Sequence, residues 1–484
     1  MEQEEYLKQI PSVDEILRYP HIQSMLKCYP RTLVVKGIRE ATGELRKRIN
    51  GCLNDPSGTK PDFPAKYELE QEIEKKVMQK KKMGLKKAIN ATGIILHTGL
   101  GRAVLAKEAV EALSGLTGYC TLQADIETGK RSPRDRHVEK LLNEITGAES
   151  ATVVNNNAAA TMLILNTFAK GKEAIVSRGQ LIEIGGSFRL PDVMEASGAV
   201  LKEVGTTNRT HLADYEKAIS ERTGLILHVH TSNYQVKGFT SKVSVEKLAE
   251  LGKKYHVPVV DDIGAGALVK MLPMCSKESS KTFMPEEEPT VQESLKAGAD
   301  VVAFSSDKLI GGPQGGIILG KKEFIERIRK NPMSRALRTG KLTLTALEAT
   351  LRLFLDEEKL PDSIPTFKML ARSVESLEAA AGSLVDKIKA PALQAGFVVE
   401  IKDDFSQMGS GSLPNENIPT KVLSFKSEKV SAEEFARSLR KGKTPVFARI
   451  KDDSVIMDLR TVLDGEEDEI AGVLGAIFAD EKQC

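Results

Sequence analysis

The chain has 484 residues, with 69 lysines and arginines against 67 aspartates and glutamates, so its formal net charge is only +2. It contains no apolar run near the ~20 residues that span a bilayer, and its acidic, polar start (MEQEEYLKQI) lacks signal-peptide character, which predicts a cytoplasmic protein without membrane spans. The five cysteines are odd in number and show no CxxC spacing, which argues against a disulfide framework and against a zinc site.

The small net charge hides an uneven distribution along the chain. Residues 1–90 carry 18 lysines and arginines against 13 aspartates and glutamates, whereas the remainder is slightly acidic. A basic segment of this kind is typical of a protein that binds a nucleic-acid backbone. A solvated, lysine-rich helical surface is an equally good explanation from composition alone.

The N-terminal part is predicted to be helical. In residues 1–60, a capping box at Ser12–Glu15 opens an amphipathic run to Cys28, and a second helix is expected over Arg31–Asn50. The Gly-, Pro- and Asp-rich stretch 54–64 indicates a linker. We therefore predict a helical domain over residues 1–60 and a charged linker helix over residues 61–87.

The middle and last parts have different patterns. Over residues 88–340 short apolar strands alternate with helical stretches, which predicts an α/β doubly wound sheet with ligands at the carboxyl ends of its strands. Residues 341–484 mix strands such as PVFARI with helices, which indicates a smaller α+β domain.

The most informative segment is Val301–Gly316, VVAFSSDKLIGGPQGG. An apolar strand ends at Ser305, and Lys308 follows just before a glycine-rich loop. Because an unpaired buried ammonium is expensive, such a lysine is suited to a lowered pKa and to Schiff-base formation with a carbonyl. Ser305 could hold a phosphate oxygen beside it, so the pattern indicates pyridoxal phosphate; an ordinary surface turn is the alternative.

Two further strand ends support this hypothesis. The apolar strand at 257–260 is followed by Asp261 and Asp262, and a carboxylate there could pair with a protonated pyridine nitrogen. We favour Asp261, the first residue past the predicted strand, although both could be solvated turn residues. Asn156 and Asn157 precede an alanine-rich helix, whose N-terminus favours a phosphate, although asparagine is also a good N-cap without any ligand.

Seven motifs occur along the chain in a distinctive order. They are NATGIILHTGLGRA (90–103), VVNNNAAA (153–160), SRGQLIEIGGSFRLPDV (177–193), GTTNR (205–209), HTSNY (230–234), EPTVQESLKAGAD (288–300) and SSDKLIGGPQGG (305–316). Through these motifs the chain resembles the bacterial selenocysteine synthases, the L-seryl-tRNA(Sec) selenium transferases, over roughly residues 5 to 475.

The resemblance implies an aminotransferase-like (fold type I) pyridoxal-phosphate core with an N-terminal helical tRNA-binding domain and a C-terminal α+β domain. It implies conversion of seryl-tRNA(Sec) to selenocysteinyl-tRNA(Sec) with selenophosphate, through a cofactor-bound aminoacrylyl-tRNA, by a homodecamer. Lys308 would carry the cofactor and then take the Cα proton, and Asp261 would keep the ring cationic. Asn233, in the turn after strand ILHVH, could hold the cofactor O3′, or His230 could do so instead.

Three arginines are candidates for the selenium-donor site. Guanidinium groups bind phosphate oxygens bidentately, and selenophosphate carries several negative charges. Arg335 and Arg338 are three residues apart, hence on one face if that stretch is helical. Arg102 follows a glycine turn, and in the family these positions correspond to anion-binding arginines.

Two other functions would account for parts of this pattern. A pyridoxal-phosphate lyase of a small amino acid or amino sugar would share the core, but such relatives generally lack the helical domain at 1–60. A nucleic-acid-binding regulator with a vestigial cofactor domain would not need Lys308 or the arginines. Because the seryl carboxylate is esterified in seryl-tRNA, a carboxylate-binding arginine loses its purpose, and Arg449 and Arg460 are not placed at the site.

Overall fold

The structure, a computed structural model, describes residues 2–53, 62–116, 118–186, 188–231, 234, 236, 238–271, 288–412 and 417–480. The chain divides into two compact units, Met1–Lys87 and Ala88–Cys484. In its described part, no helix is both long enough and apolar enough to cross a membrane.

The first unit is helical, as predicted. Its helices are α1 (Glu2–Lys8), α2 (Val13–Ile16), α3 (Pro20–Cys28), α4 (Arg31–Leu53) and α5 (Lys66–Lys81). The Ser12 side chain caps α2 by accepting a hydrogen bond from the Glu15 backbone N–H at 3.2 Å. The run expected to continue to Cys28 is interrupted before Pro20, because the residue preceding a proline disfavours the helical conformation; Tyr19 is extended, at φ −65° and ψ 137°.

Helix α5 belongs to this helical unit rather than standing apart as a linker. Its Leu69, Ile73 and Val77, spaced four residues apart, are buried in one cluster with residues of α2, α3 and α4. Gly37 of α4 permits the close approach, since a Cβ there would lie 2.6 Å from a Val77 methyl group. Most of the predicted linker, residues 54–61, lies outside the described residues.

The second unit is built on a seven-stranded sheet with strand order β2-β10-β9-β8-β7-β3-β6. Strand β10 runs antiparallel to both neighbours, and the other pairings are parallel, which confirms the doubly wound expectation apart from β10. The strands are β2 (Ser150–Val154), β3 (Glu173–Ser177), β6 (Val200–Val204), β7 (Thr223–Val229), β8 (Val259–Gly264), β9 (Val301–Ser305) and β10 (Gly316–Gly320). A separate hairpin is formed by β4 (Glu183–Ile184) and β5 (Phe188–Arg189).

Helices surround this sheet, and most of them pack against it through separate apolar clusters. They are α6 (Lys107–Ser114), α7 (Arg136–Thr146), α8 (Asn157–Ala169), α9 (Leu190–Ser197), α10 (Leu212–Ala218), α11 (Val245–Tyr255), α12 (Val291–Lys296), α13 (Lys322–Lys330), α14 (Met333–Ala336), α15 (Lys341–Leu353), α16 (Leu360–Ser363) and α17 (Pro365–Ala371). Helix α8 is apolar nearly all round, because it is buried over the sheet centre.

The C-terminal part forms a second sheet with order β1-β13-β14-β12-β11. Its strands are β1 (Ile89–Ala91), β11 (Phe397–Ser406), β12 (Ile418–Ser427), β13 (Val446–Lys451) and β14 (Ser454–Asp458), and its helices are α18 (Val374–Gln394), α19 (Ala432–Lys441) and α20 (Glu466–Asp480). The short β1, assigned from sequence to the core, instead pairs in parallel with β13.

Candidate active site

A cavity of about 790 Å³ opens at the carboxyl ends of the central strands. Predicted site residues that line it are Lys308, Ser305, Asn156, Asn157 and Arg102. Residues 407 and 409–412, from the segment after β11, complete its wall. The sequence prediction that ligands bind at the ends of these strands agrees with this position.

Lys308 is buried at this cavity, with 8% of its surface exposed. Burial lowers the pKa of its ammonium group, and the Arg102 guanidinium lowers it further, whereas Asp307, Asp262 and Glu288 oppose the shift. The glycine-rich loop folds back on this segment: the Gly311 N–H donates to the Lys308 carbonyl at 3.0 Å. A lowered pKa favours the unprotonated amine, which is the form that attacks a carbonyl.

Asp262, and not Asp261, is the aspartate at the cavity. Its carboxylate accepts hydrogen bonds from Asn157 Nδ2 at 2.8 Å, Thr161 Oγ1 at 2.7 Å and the Gly264 backbone N–H at 3.2 Å. Burial raises the pKa of Asp262, and these hydrogen bonds oppose that rise.

The side chain of Asp261 points to the other face of the sheet. Its Oδ1 lies 2.7 Å from Nδ1 of His228, and it does not line the cavity among the described residues. Strand β8 continues to Gly264, so the two aspartates lie within the strand and their side chains alternate between its faces. The prediction that Asp261 faces the ligand is therefore wrong in its geometry, because the strand is longer than expected.

The start of α8 provides a site for an anion. Asn156 is the N-cap, and its Oδ1 accepts from the Ala159 backbone N–H at 2.9 Å. Asn157 Oδ1 is buried and has no hydrogen-bond partner within the described part of the chain. Gly316 allows β10 to pass this turn closely, since a Cβ there would lie 2.2 Å from the Asn156 carbonyl oxygen.

These residues fit pyridoxal phosphate. The cavity combines a lysine of lowered pKa, a buried carboxylate, and the backbone N–H groups at the N-terminus of α8. Those three features match a carbonyl, a pyridinium nitrogen and a phosphate group, respectively. Asn233, predicted to hold the cofactor O3′, lies outside the described residues; His230 lines the cavity.

The three predicted arginines are not equivalent. Arg102 lines the cavity and its Nη1 lies 2.6 Å from Asp307 Oδ2. Arg335 and Arg338 are exposed and lie outside the described lining of the cavity. Helix α14 ends at Ala336, so the expected common helix face is absent; Arg338 instead forms a β-bridge with Val154, beside the asparagine turn.

Sequence reasoning missed Arg134, which stands beside this arginine pair. Its Nη1 donates to the Thr339 carbonyl at 2.6 Å, from 205 residues away in sequence. Burial lowers the pKa of Arg134, and the positive charges of Arg338, Arg131 and Arg335 lower it further. The contact with Thr339 could not be predicted from the local pattern, because only the tertiary fold creates it.

Arg460 has a structural environment. It is fully buried and donates to the carbonyls of Met369, Arg372 and Pro419 and to Ser406 Oγ. These bonds join the segment before α18 to the second sheet.

Comparison with known proteins decides the family. A family model described as "L-seryl-tRNA selenium transferase" matches residues 88–463, and one described as "Selenocysteine synthase N terminal" matches residues 7–46. The L-seryl-tRNA(Sec) selenium transferase of Alkaliphilus metalliredigens (strain QYMF) is 48% identical over 458 residues, covering 94% of this chain and 95% of that protein. The chain belongs to the L-seryl-tRNA(Sec) selenium transferase family.

Further comparisons agree with this assignment. The L-seryl-tRNA(Sec) selenium transferase of Clostridium botulinum (strain Okra / Type B1) is 44% identical over 465 residues, which is 96% of this chain and 97% of that protein. A solved D-glucosaminate-6-phosphate ammonia-lyase superposes with a TM-score of 0.55 at 20% identity, covering 82% of this chain and 97% of that one, and so shows the fold.

The family resemblance, the fold type and the enzyme class predicted from the motifs are thereby confirmed. The chain is a pyridoxal-phosphate-dependent transferase of selenocysteine biosynthesis. The lyase alternative is not favoured, because both the core and the N-terminal segment match selenium transferase models.

Proposed function

We propose that the cavity around Lys308 replaces the β-hydroxyl of seryl-tRNA(Sec) with selenium from selenophosphate. The observation that carries the proposal is the meeting of three groups in one cavity: Lys308 with its lowered pKa, the buried Asp262, and the N-terminus of α8. Family membership supports the tRNA substrate, and the arginines support an anionic selenium donor.

Each polar group has an assigned role at the cofactor. Lys308 holds the carbonyl carbon of pyridoxal phosphate, Asp262 faces the ring nitrogen, and the α8 N-terminus with Asn156 and Ser305 receives the phosphate. Asn157 orients Asp262 through its 2.8 Å hydrogen bond. Asn233 and His230 are both candidates for the O3′ position, and His230 lines the cavity.

The reaction follows from these positions. When bound, pyridoxal phosphate withdraws electrons from the substrate Cα and so eases loss of the Cα proton and of the β-substituent. Burial lowers the pKa of the Lys308 ammonium group, which would favour the unprotonated Nζ as the base that takes the Cα proton. Arg102, held by Asp307 at the cavity, binds phosphate oxygens of the selenium donor.

Arg335 and Arg338 are proposed to complete the donor site. They are exposed and lie outside the cavity of their own chain, so they can serve the cavity of a neighbouring copy. A homo-oligomer, a decamer by family resemblance, would bring such a copy close. Arg134 holds their segment through Thr339 and adds positive charge beside them.

The helical unit is proposed to bind tRNA(Sec). Residues 1–90 carry the positive excess of the chain. Seven basic side chains on its surface are exposed: Arg18, Arg31, Lys36, Arg39, Arg46, Lys47 and Arg48. Six of these cations lie on α4 and Arg18 lies between α2 and α3, and exposed cations spread in this way suit phosphate contacts along an RNA backbone.

The deciding experiment combines turnover with cofactor attachment. Purified protein should convert seryl-tRNA(Sec) and selenophosphate to selenocysteinyl-tRNA(Sec), and borohydride should fix pyridoxal phosphate on Lys308. Lys308→Ala should lose both the cofactor absorbance and the product. The control Lys321→Ala, a half-exposed lysine paired with Asp300 at 2.6 Å, should keep both.

Two results would contradict the proposal. One is borohydride labelling of a lysine other than Lys308. The other is turnover of free serine without turnover of seryl-tRNA(Sec), which would indicate a lyase that acts on a small amino acid.

A further inference from the structure

A buried carboxylate lies behind the cavity wall and has no role in the mechanism above. Only 3% of the Glu288 side chain is exposed, and its Oε2 lies 3.3 Å from Nδ1 of His230. His230 lines the cavity and has 30% of its side chain exposed. The pair therefore reaches from the protein interior to the cofactor cavity.

The main chain on both sides of this pair is anchored to the strand that carries Asp262. The His230 backbone N–H donates to the Asp262 carbonyl at 2.9 Å. Just after Glu288, the Val291 backbone N–H donates to the Ala267 carbonyl at 3.0 Å, in the segment that follows β8. The two side chains thus meet because both segments are fixed to one continuous stretch of chain.

Charge explains what the carboxylate does there. A carboxylate removed from water is costly unless a cation or donor faces it, and the group that faces Glu288 is the His230 imidazole, at 3.3 Å. Among the described residues, the other charged groups that line the cavity are Lys308, Asp262 and the Arg102–Asp307 pair.

We propose that Glu288 is a positioning residue that holds His230 as a cavity-facing N–H donor toward the ring oxygen of bound pyridoxal phosphate. Nδ1 faces the carboxylate, so the ring's other nitrogen serves the cavity side. A carboxylate that fixes the orientation and proton of a histidine is a common device around reactive centres. The inference rests on the proposed cofactor site but on neither the tRNA nor the selenium donor.

The test is a double-mutant cycle in the full-length protein: Glu288→Gln, His230→Gln and the two combined. Pyridoxal phosphate is titrated into each apo-protein, and the absorbance maximum of each loaded protein is recorded without tRNA. Loss of one charge-assisted hydrogen bond should weaken cofactor binding about tenfold and shift the absorbance maximum. Because Glu288 acts through His230, the double variant should resemble His230→Gln alone.

A matched control separates this effect from the loss of any buried carboxylate. Glu173 is 5% exposed and pairs with Arg222 at 2.7 Å, on β3 and away from the cavity lining. Glu173→Gln should leave the cofactor affinity and spectrum unchanged. The variant with a shifted absorbance maximum should also turn over more slowly. Glu288→Gln should therefore lower kcat with little change in KM for seryl-tRNA(Sec).

Two results would overturn the inference: wild-type affinity and spectrum in Glu288→Gln, or additive effects in the double variant. If Glu288→Gln does not fold, an unchanged spectrum in His230→Gln overturns it as well. Failure of the proposed function shows elsewhere, as a wild-type protein that binds the cofactor but makes no selenocysteinyl-tRNA(Sec).

Discussion

Replacing Asp262 and Asp261 one at a time by asparagine tests the geometry of the site most directly. The two residues are adjacent, both are buried, and the substitution is isosteric in both cases. Only Asp262 lines the cavity, whereas Asp261 contacts His228 on the opposite face of β8. The pair therefore serves as its own control.

The expected magnitudes follow from what each carboxylate contacts. Asp262→Asn removes the charge opposite the pyridinium nitrogen, and breaking a buried charge pair costs about 3–5 kcal/mol, which is roughly 10²–10⁴-fold in rate. Asp261→Asn keeps an amide oxygen that can still accept from His228 Nδ1, so its rate should fall less than about tenfold. Asp261→Asn should mainly lower the free energy of unfolding, by about 1–3 kcal/mol.

The assay is single-turnover consumption of seryl-tRNA(Sec) by cofactor-loaded protein, with the thermal midpoint of each variant measured in parallel. The cofactor absorbance shows whether each variant is fully loaded before the rate is compared. Equal rate losses in the two variants, or an Asp262→Asn rate within tenfold of wild type, would refute the assignment of Asp262 to the ring nitrogen.

Three further outcomes are expected. Arg335→Ala combined with Arg338→Ala should impair selenium incorporation more than seryl-tRNA(Sec) binding, and an unchanged product yield in that double variant would contradict their role. Removal of residues 1–87 should abolish tRNA(Sec) binding while the cofactor absorbance remains. The affinity of the full chain for tRNA(Sec) should fall steeply as salt is added. Equal tRNA(Sec) affinity of the full and shortened proteins at two salt concentrations would place the RNA site elsewhere. Arg460→Ala leaves buried carbonyls without a donor and should cost about 3–5 kcal/mol in urea unfolding, whereas Arg352→Ala, on an exposed helix pair, should cost less than about 1 kcal/mol.

The sequence allowed the α/β core and its reactive lysine to be predicted because both leave local signals. Apolar strands that end in polar residues mark the carboxyl edge of a sheet, and Lys308 follows such an end. The asparagines at the start of α8 could be placed for the same reason. The choice between Asp261 and Asp262 failed because the end of β8 depends on pairing with β9, where Gly264 lies opposite Phe304.

Tertiary contacts account for the other differences. The charged composition of α5 suggested a separate linker, although its Leu69, Ile73 and Val77 form a narrow buried stripe. Arg134 reaches Thr339 only after the chain has folded, so no local pattern could indicate it. In each case a contact distant in sequence decided what the local pattern left open.

The parallel pairing of β1 with β13 has a consequence for the order in which the protein forms. Ile89 lies opposite Val446, so the small sheet gains its edge strand only after nearly the whole chain has been synthesised. Contacts between such distant residues form slowly because a long loop must close first. The helical unit has mainly local contacts and can fold while translation continues. Residues 89–91, in contrast, stay unpaired until their partner strand is synthesised near the end of the chain.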